Sequence, residues 1–501
     1  MPSGIKRFGG WGLVEAGLFA LSLLAVQARG EEVTLNVVAS FAGTNGYIPS
    51  APIIQARDGN FYGTTYAGGA STNFDNSGYG PGYGAVFKGT PEGELTCLAS
   101  FFGTNGSHPY AGLVQAADGN FYGVAYTGGN ATNVVPYQGT GYGTVFRVAP
   151  GGSLATLYSF DLTNGACPRG GLVEGPDGCL YGTTRYGGLS YNDPRTTSAG
   201  PGGYGTIFKI TTNGSFTTLY SFTPDTAGST PMVGLLLARD GNFYGPALGG
   251  AFGWGMIYKL TLSGEVSTVA SLAQTNALPH LSPLIEGRDG NLYGVSQIGG
   301  AFGKGAAYQA STSGLVRTIA SFPAADGLPW GSLVEGTDGN FYGVRTAGSS
   351  PNYGLIYQLT PAGAFSVVFS FVGLTNGAGP RAGLIQAKDG NLYGTTEAGG
   401  SNPGPEGFPG PNGNGYGTVF RLHIPSAMAP KLRPPVQSGN GLSLSWSSIS
   451  GRAYQVQYKS NLHQPDWADL GSSVAATNRT ASASDAAVSD NQRVYRVVLL
   501  P

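Results

Sequence analysis

The sequence predicts an all-β protein: a seven-bladed β-propeller closed by an N-terminal strand and followed by a small β-sandwich. Three observations lead to this prediction. The hexapeptide DGNFYG, or a close variant of it, occurs seven times along the chain. Glycine accounts for 86 of 501 residues, and charged residues make up only 11%, whereas hydrophobic residues reach 41%. Each hexapeptide lies between short strand-like segments, and no helical periodicity separates them.

The composition excludes several classes of protein. Lys and Arg together number 26, and Asp and Glu together number 27, so no excess of positive charge favours a nucleic acid or an anionic membrane. The content of hydrophobic and aromatic residues is too high for a disordered chain. We therefore expect a folded protein that does not bind nucleic acid.

Residues 1–28 are predicted to be a signal peptide. Lys6 and Arg7 form a basic start, residues 16–26 are an apolar run of signal-peptide length, and Ala28 ends a small-residue cleavage pattern. An uncleaved anchor is the alternative. No later segment approaches the ~18 apolar residues of a membrane helix. We expect the cleaved protein to be secreted or held at the cell surface, without insertion into a membrane.

The repeating unit consists of four short strand-like segments. In the second unit these are AGLVQA, FYGVAY, GYGTVFRVA and SLATLYSF, at residues 111–116, 121–126, 141–149 and 153–160. The Asp-Gly pair between the first two segments is a strong signal of a tight hairpin. Each unit therefore predicts a four-stranded antiparallel sheet, and repeats of roughly 50–60 residues are typical of propellers and solenoids.

The repeated hexapeptide itself is predicted to be a structural turn. Its glycine can adopt a positive φ without steric cost, and its aspartate stabilises turns through local hydrogen bonds. The Tyr-Gly pair that follows supplies a ring for packing and a position without a side chain where a neighbouring sheet can approach. Calcium binding is the alternative, but one carboxylate per turn falls far short of the about 6–8 oxygen ligands that Ca²⁺ takes.

The two ends of the repeat array predict a closed ring. The seventh unit ends with GYGTVFRLH at residues 415–423 and has no fourth strand of its own. The segment EVTLNVVASF, at residues 32–41, matches the fourth strands of other units and has no first three strands before it. A ring in which this N-terminal strand completes the last sheet explains both facts and leaves no open sheet edge. The propeller is predicted to cover residues 31–424.

The repeat pattern resembles a known family. The combination of GLVQAxDGNFYG, a GG pair, GYGTVF, PxG and LYSF is similar to the Gloeo-Verruco tandem repeat of exported choice-of-anchor proteins. The resemblance covers all seven units, and it implies an exported, propeller-like array followed by a variable C-terminal module, with no particular activity. Units 4 to 6 depart from the pattern, since FGWGMIY, FGKGAAY and PNYGLIY replace GYGTVF and Ser349 replaces the second glycine of GG. These changes preserve the predicted strands.

Long loops between the second and third strands are predicted to form a wall on one face of the ring. Four neighbouring units, 7, 1, 2 and 3, carry such loops, whereas units 4 to 6 have short ones; the long loops are residues 70–81, 130–140, 189–202 and 401–414. Their aromatic residues are Phe74, Tyr79, Tyr137, Tyr191 and Phe408. Such rings can stack on sugars or contact a protein, or they can simply cover the glycine-rich strand ends.

The connections between units supply the main candidates for a binding site. Each contains a proline at an equivalent place, and the residue after it varies: Ser50, Tyr110, Arg169, Met232, His280, Trp330 and Arg381. Arginine can bind carboxylate or sulfate through two hydrogen bonds, aromatic rings can stack, and histidine can titrate near neutral pH. His108, beside Pro109, adds a second imidazole. Space filling at the mouth of the central channel is the alternative.

The three cysteines predict neither a disulfide nor a metal site. Cys167 and Cys179 are separated by a full strand, which places them beyond the ~7 Å Cα separation that a disulfide allows. Cys97 lies on an outer strand of another unit. We expect three free, mostly packed thiols, and no metal or other cofactor is predicted.

The C-terminal segment has a different character. Residues 425–439 are rich in proline and are predicted to be a linker. Residues 440–501 contain alternating strand-like segments that resemble a small fibronectin type III-like β-sandwich, with Trp446, Tyr454 and Tyr495 as its core rings.

The leading functional hypothesis is a monomeric, exported, non-catalytic scaffold that binds a glycan or a surface protein. Its candidate binding residues are Tyr110, Arg169, His280, Trp330, Arg381, Tyr137 and Tyr191. The alternative is an enzyme that acts on polysaccharides, similar to a uronate polysaccharide lyase. A histidine or tyrosine would then abstract a sugar proton while arginine neutralises the uronate, with His108, Tyr110, Arg169 and His280 as candidates.

Overall fold

The computed structural model describes most of the chain after the predicted signal peptide. The described residues are 33–73, 81–130, 134–135, 139–192, 201–223, 228–272, 282–323, 327–346, 353–373, 375–402, 415–424, 432–438, 441–448, 453–460, 466–477, 480–486 and 493–499. Residues 1–28 lie outside them. All regular secondary structure in these ranges is β, so none of the described segments is a helix of the length and apolarity that a bilayer crossing needs.

Up to residue 424, the described strands form seven small antiparallel sheets, apart from a separate two-stranded hairpin. The first described strand is β1 (Thr34–Ser40). Sheet 1 contains β2 (Ile54–Gln55), β3 (Phe61–Thr65), β4 (Ala85–Gly89) and β5 (Leu95–Ser100). Sheet 2 contains β6 (Val114–Gln115), β7 (Phe121–Ala125), β10 (Thr144–Val148) and β11 (Leu154–Ser159), with the hairpin of β8 (Val134–Val135) and β9 (Gly139–Thr140) between its strands. Sheet 3 contains β12 (Val173–Glu174), β13 (Leu180–Thr184), β14 (Thr206–Ile210) and β15 (Phe216–Ser221).

The remaining four sheets follow the same order, except that sheet 4 has a fifth strand. Sheet 4 contains β16 (Gly228–Ser229), β17 (Leu236–Leu237), β18 (Phe243–Gly249), β19 (Met256–Leu260) and β20 (Val266–Ser271). The additional strand is β16, which pairs with β18 as β17 does. Sheet 5 contains β21 (Ile285–Glu286), β22 (Leu292–Ser296), β23 (Ala306–Ala310) and β24 (Val316–Ser321). Sheet 6 contains β25 (Pro329–Glu335), β26 (Phe341–Arg345), β27 (Leu355–Leu359) and β28 (Phe365–Ser370). Sheet 7 contains β29 (Ile385–Gln386), β30 (Leu392–Thr396) and β31 (Thr418–His423), and β1 completes it.

The N-terminal strand completes the last sheet, as the sequence predicts. β1 pairs antiparallel with β31, from Thr34 opposite His423 to Ser40 opposite Thr418. A register shift interrupts this pairing between Val37 and Ala39. The pairings of β4 with β5, β10 with β11, and the corresponding strands of sheets 3 to 6 each contain a register shift as well. β1 therefore takes the place of a fourth strand in sheet 7, because it has both the pairing and the register shift that the fourth strands of the other sheets have.

The seven sheets share apolar cores in cyclic order. Each sheet packs against the next through one cluster of buried side chains, from sheets 1 and 2 through to sheets 6 and 7. A seventh cluster joins sheet 7 to sheet 1 and includes Phe61, Phe87, Tyr393 and Val419. The fold is therefore all-β and propeller-like, with its core divided among the spaces between neighbouring sheets.

The repeated Phe-Tyr pair explains part of this packing. Successive strand residues point to opposite faces of a sheet, so the two rings contact different neighbours. In sheet 1, the Tyr62 ring stacks on Phe121 of sheet 2 with centroids 4.1 Å apart, while the Phe61 ring contacts Tyr393 of sheet 7 at 4.3 Å. A short motif thus supplies one ring to each side of the sheet.

The DGN turn is organised by its aspartate. In the first turn, Asp58 Oδ1 accepts a hydrogen bond from the Asn60 backbone amide at 3.1 Å, and Oδ2 accepts hydrogen bonds from Asn60 Nδ2 at 2.8 Å and from the Tyr62 hydroxyl at 2.9 Å. Gly59 has a φ of 87°, as expected for this turn. Burial opposes ionisation of Asp58, but the hydrogen bonds from Asn60 and Tyr62 together lower its pKa. The tyrosine of the motif is therefore both a packing ring and a hydrogen-bond donor to its own turn.

The glycine after that tyrosine has a different neighbour from the one expected. A Cβ atom at Gly63 would lie 2.6 Å from Cζ of Phe87, which is the residue paired with Gly63 on the adjacent strand β4. The missing side chain therefore makes room for an aromatic ring of the same sheet, not for a neighbouring sheet. The expectation was wrong because cross-strand partners lie closer together than stacked sheets.

The described C-terminal residues form two further small sheets. One contains β32 (Val436–Ser438), β33 (Gly441–Ser447) and β37 (Thr480–Asp485). The other contains β34 (Ala453–Lys459), β35 (Ala468–Asp469), β36 (Val474–Ala475) and β38 (Val494–Leu499). Trp446 and Tyr454 are fully buried in the cluster these sheets share, and Tyr495 packs against it. β32 begins within the segment expected to be a linker.

The three cysteines are free thiols, as predicted. Cys167 is buried and Cys179 is partly buried, but Cys97 is exposed. The expectation that the thiols are mostly packed was therefore wrong for Cys97, which is exposed on the outer strand β5.

Candidate functional site

The connection before sheet 1 contacts the described ends of two long loops, those of units 1 and 7. Tyr47, in the connection before sheet 1, pairs with Ala67 in the segment after β3, and its hydroxyl donates a hydrogen bond to the Pro81 carbonyl at 2.8 Å. Asn402 Nδ2, after β30, donates to the Phe41 carbonyl at 2.8 Å. A common face for all the connections and long loops stays a prediction, because most residues of these loops lie outside the described ranges.

The repeated prolines are positioned by glycines of the preceding repeat. A Cβ atom at Gly84, the last residue of GYG in the first unit, would lie 2.8 Å from Cδ of Pro109. Gly143 and Pro168 are related in the same way, at 2.6 Å. Each of these prolines occupies the space that a side chain at the glycine would need. This contact fixes the position of the residue after the proline relative to the preceding repeat.

Six of the seven residues that follow these prolines line one cavity. Its volume is about 360 Å³, and the six are Ser50, Tyr110, Arg169, Met232, Trp330 and Arg381. The seventh, His280, lies outside the described residues. The geometry thus brings together the residues that the sequence pattern selected, although they are separated by hundreds of positions in the chain.

Two arginine–aromatic pairs are the main chemical feature of this cavity. The Arg169 guanidinium carbon lies 5.1 Å from the centroid of the Tyr110 ring. The Arg381 guanidinium carbon lies 4.9 Å from the centroid of the Trp330 ring. Stacking on an aromatic face orients a guanidinium and keeps its N–H groups available at the edges for an anion.

Glu397 is a cavity residue that the sequence analysis missed. Its side chain is only 2% exposed, and its Oε2 atom forms an ion pair with Arg381 Nε at 3.2 Å, without the alignment of a hydrogen bond. Its Oε1 atom accepts a hydrogen bond from the Ser50 hydroxyl at 2.9 Å. Burial raises the pKa of Glu397, against the opposing effects of Arg381 and Ser50.

A signal for Glu397 was present in the sequence. Its equivalents at the end of the second strand also vary among the units: Tyr66, Tyr126, Arg185, Leu248, Gln297 and Thr346. Gln297 and Glu397 both line the cavity. The reasoning that selected the first set of residues would therefore have selected this second variable position as well, but it was not applied there.

His108 is buried and does not line the cavity. Its Nδ1 atom lies 3.1 Å from the Thr127 hydroxyl, and its ring contacts the Tyr66 ring at 4.4 Å. His108 therefore packs against Tyr66, whose ring contacts the cavity residue Tyr110.

Tyr110 and Tyr191 are placed differently. Tyr110 lines the cavity and contacts the rings of Tyr66 and Tyr126, with centroids at 4.8 and 5.4 Å. Tyr191 is half-buried in the loop after β13 and does not line the cavity. The other predicted wall residues, Phe74, Tyr79, Tyr137 and Phe408, lie outside the described residues.

The part of the chain that the structure describes contains no candidate metal-binding site. No group of three or more His, Cys, Asp or Glu side chains comes together there in a way that could hold an ion. The site offers hydrogen-bond donors, two cations, one buried carboxyl group and aromatic faces.

Comparison with known proteins identifies the repeat and finds distant likenesses to solved structures. The model of the Gloeobacter/Verrucomicrobia repeat matches residues 25–193 and 194–408. A search of curated proteins found no match. A gluconolactonase from Xanthomonas campestris is 15% identical, with 56% of this chain and 79% of that chain covered and a TM-score of 0.35. A polysaccharide lyase, an ulvan lyase, is 10% identical, with 78% and 96% covered and a TM-score of 0.44. These likenesses are too weak to assign a site or an activity.

Proposed function

The chain belongs to the Gloeobacter/Verrucomicrobia repeat family, and from this premise we propose that it is an exported, monomeric, non-catalytic scaffold that binds an acidic glycan. In this proposal residues 1–28 are a signal peptide, and residues 31–424 form a seven-bladed β-propeller closed by its N-terminal strand. A linker at 425–439 then leads to a fibronectin type III-like β-sandwich at 440–501. Cyclic packing of the seven sheets and the pairing of β1 with β31 support the propeller.

The cavity with its two arginine–aromatic pairs is the observation that carries the functional proposal. Arginine forms paired hydrogen bonds to carboxylate or sulfate, and tyrosine and tryptophan faces stack on sugar rings. These four side chains stand at positions that vary in an otherwise repeated frame. A purely structural position would be expected to hold similar residues in seven equivalent units.

The size of the cavity favours a glycan over a protein partner. Its volume of about 360 Å³ lies at the lower end of small-molecule sites, which span about 300–1,000 Å³. A stable protein interface buries about 800 Å² on each partner and would need a much broader surface. Contact with a protein through the surrounding loops is the remaining form of the scaffold hypothesis.

Lyase activity is the second candidate, and the placement of Tyr110 beside Arg169 favours it. The deprotonated tyrosine would take the proton beside the uronate carboxylate while arginine neutralises that carboxylate, and the same tyrosine would return the proton to the departing glycosidic oxygen as the C4–O bond breaks and the C4–C5 double bond forms. Against it, the buried position of His108 removes one of the two imidazoles expected at the site. His280, the other imidazole, lies outside the described residues.

A glycan array with the full chain lacking residues 1–28 tests the proposal. We expect binding to acidic glycans, and we expect the double variant Arg169→Gln/Arg381→Gln to lose it. Arg57→Gln is the matched control, because Arg57 is exposed beside the first DGN turn and does not line the cavity.

Three outcomes would overturn the proposal. The first is the absence of glycan binding, and the second is binding that the double variant retains in full. The third is a rise in ultraviolet absorbance from unsaturated product when the protein is incubated with uronate polysaccharides. If that rise is lost in Tyr110→Phe, the protein is a lyase.

A further inference from the structure

We propose that the cavity contains two anion-binding subsites on opposite sides, and that its ligand is an oligosaccharide carrying two acidic groups. One subsite is the Tyr110–Arg169 pair and the other is the Trp330–Arg381 pair. This inference rests on the proposed function and specifies the class of ligand that the same cavity takes.

The two subsites are built in the same way. In each, the aromatic ring follows the proline of one repeat and the arginine follows the proline of the next: Tyr110 belongs to sheet 2 and Arg169 to sheet 3, while Trp330 belongs to sheet 6 and Arg381 to sheet 7. The guanidinium-to-ring distances, 5.1 and 4.9 Å, agree closely. An arginine–aromatic pair contributed by two consecutive repeats therefore occurs twice among the seven sheets.

The cyclic order of the sheets places the two subsites across the cavity from each other. Sheet 1 separates them on one side, and sheets 4 and 5 separate them on the other. The described side chains that line these separating walls are uncharged and include Ser50, Met232, Ser282 and Gln297. A ligand bound at both arginines would pass neutral polar groups suited to sugar hydroxyls.

Both arginines retain donors for a ligand. Among the described residues, no carboxylate lies within 4.0 Å of Arg169. Arg381 contacts Glu397 through Nε, so the two terminal Nη groups of its guanidinium are the donors left for an anion. Its side chain is 33% exposed although Glu397 is almost fully buried. Glu397 and Trp330 therefore act as positioning residues for Arg381.

The two-subsite geometry predicts a characteristic response to mutation. A ligand with one acidic group can use either arginine, so the loss of one arginine should lower its apparent affinity only about twofold. A ligand with two acidic groups uses both arginines, and each charged hydrogen-bonded contact that is lost should cost about tenfold or more. Arg169→Lys retains the charge but removes the two-pronged contact, and we expect an intermediate loss.

Titration calorimetry with matched probes tests the inference. The probes are digalacturonic acid, its monomethyl ester and its dimethyl ester, which share one disaccharide backbone and carry two, one and no acidic groups. Unsulfated and monosulfated chondroitin disaccharides form a second series, with one and two acidic groups. The proteins are the full chain lacking residues 1–28, Arg169→Gln, Arg381→Gln and the control Arg57→Gln, each checked for native circular dichroism.

We expect a two-acid probe to bind at least tenfold more tightly than its one-acid partner, and either cavity variant to abolish this difference. The inference is overturned if one-acid and two-acid probes bind equally, if only one arginine matters, or if no two-acid probe binds. In each of these cases the proposed function stands when the glycan array still shows acidic-glycan binding that the double variant Arg169→Gln/Arg381→Gln loses. A negative array overturns both proposals.

Discussion

Three buried tyrosine hydroxyls should destabilise the protein, and replacing them should raise its stability. Tyr258, Tyr308 and Tyr357 are fully buried, and among the described residues their hydroxyl oxygens have no hydrogen-bond partner. Burial raises the pKa of all three. Phenylalanine stands at the equivalent place in the other four sheets: Phe87, Phe146, Phe208 and Phe420.

The magnitude follows from the lost hydration of each hydroxyl. A buried polar group without a partner costs about 1–3 kcal/mol, and the few dispersion contacts of one oxygen return about 0.1–0.2 kcal/mol each. We therefore expect Tyr258→Phe, Tyr308→Phe and Tyr357→Phe each to raise the free energy of unfolding by about 1–2 kcal/mol. The sites lie in separate sheets, so the triple variant should gain about 3–6 kcal/mol.

Guanidinium unfolding measures this effect. The midpoint should rise in each variant while the dependence on denaturant concentration stays unchanged. Phe146→Tyr is the matched control, because it introduces the same buried hydroxyl into sheet 2 and should lower the free energy of unfolding by about 1–3 kcal/mol. A lower midpoint for the three Phe variants, or a higher one for Phe146→Tyr, would refute the reasoning.

Three further predictions concern the repeat frame and the cavity. Gly123→Ala should lower the free energy of unfolding by about 1–3 kcal/mol, because its Cβ would lie 2.5 Å from Phe146 Cζ. Gly151→Ala is the control and should change the unfolding midpoint little, because no atom lies within 4 Å of its Cβ. The pKa of six turn aspartates is lowered because hydrogen bonds to the carboxylate outweigh the effect of burial. Their contribution to the free energy of unfolding is therefore present above about pH 4 and is lost as the pH falls through the lowered pKa. Asp118→Asn should reduce the drop in unfolding midpoint that acid causes. Burial raises the pKa of Glu397, so its contribution to the free energy of unfolding is present at acid pH and is lost as the pH rises through that pKa. Glu397→Gln should remove this decline of the unfolding midpoint with rising pH. An unchanged dependence of the midpoint on pH would contradict the burial argument.

Much of the fold could be predicted because the repeat is made of local signals. Asp-Gly turns and alternating apolar residues define short hairpins, and the orphan strand at residues 32–41 predicted the pairing of β1 with β31. The bond from the Tyr62 hydroxyl to Asp58 spans only four residues, yet it was missed because the tyrosine was interpreted as a packing ring alone.

The candidate site was predictable only in part. Variation after the repeated proline selected six residues that share the cavity, because equivalent positions of a closed ring must converge. Glu397 was missed, since its partner Ser50 is 347 positions away and the two meet only where sheet 7 contacts sheet 1. His108 was selected by residue type, but its burial depends on the rings of other repeats packed against it.

The sequence by itself determined the number of repeats, the strand order and the positions at which chemistry varies, because turns and alternation act within a few residues. Only the tertiary structure decided that Arg381 is held by Glu397 and Trp330, that Arg169 lies on Tyr110, and that His108 is withdrawn from the cavity. These contacts depend on the closure of the ring and on the packing of side chains from different sheets, and neither is encoded in any one repeat.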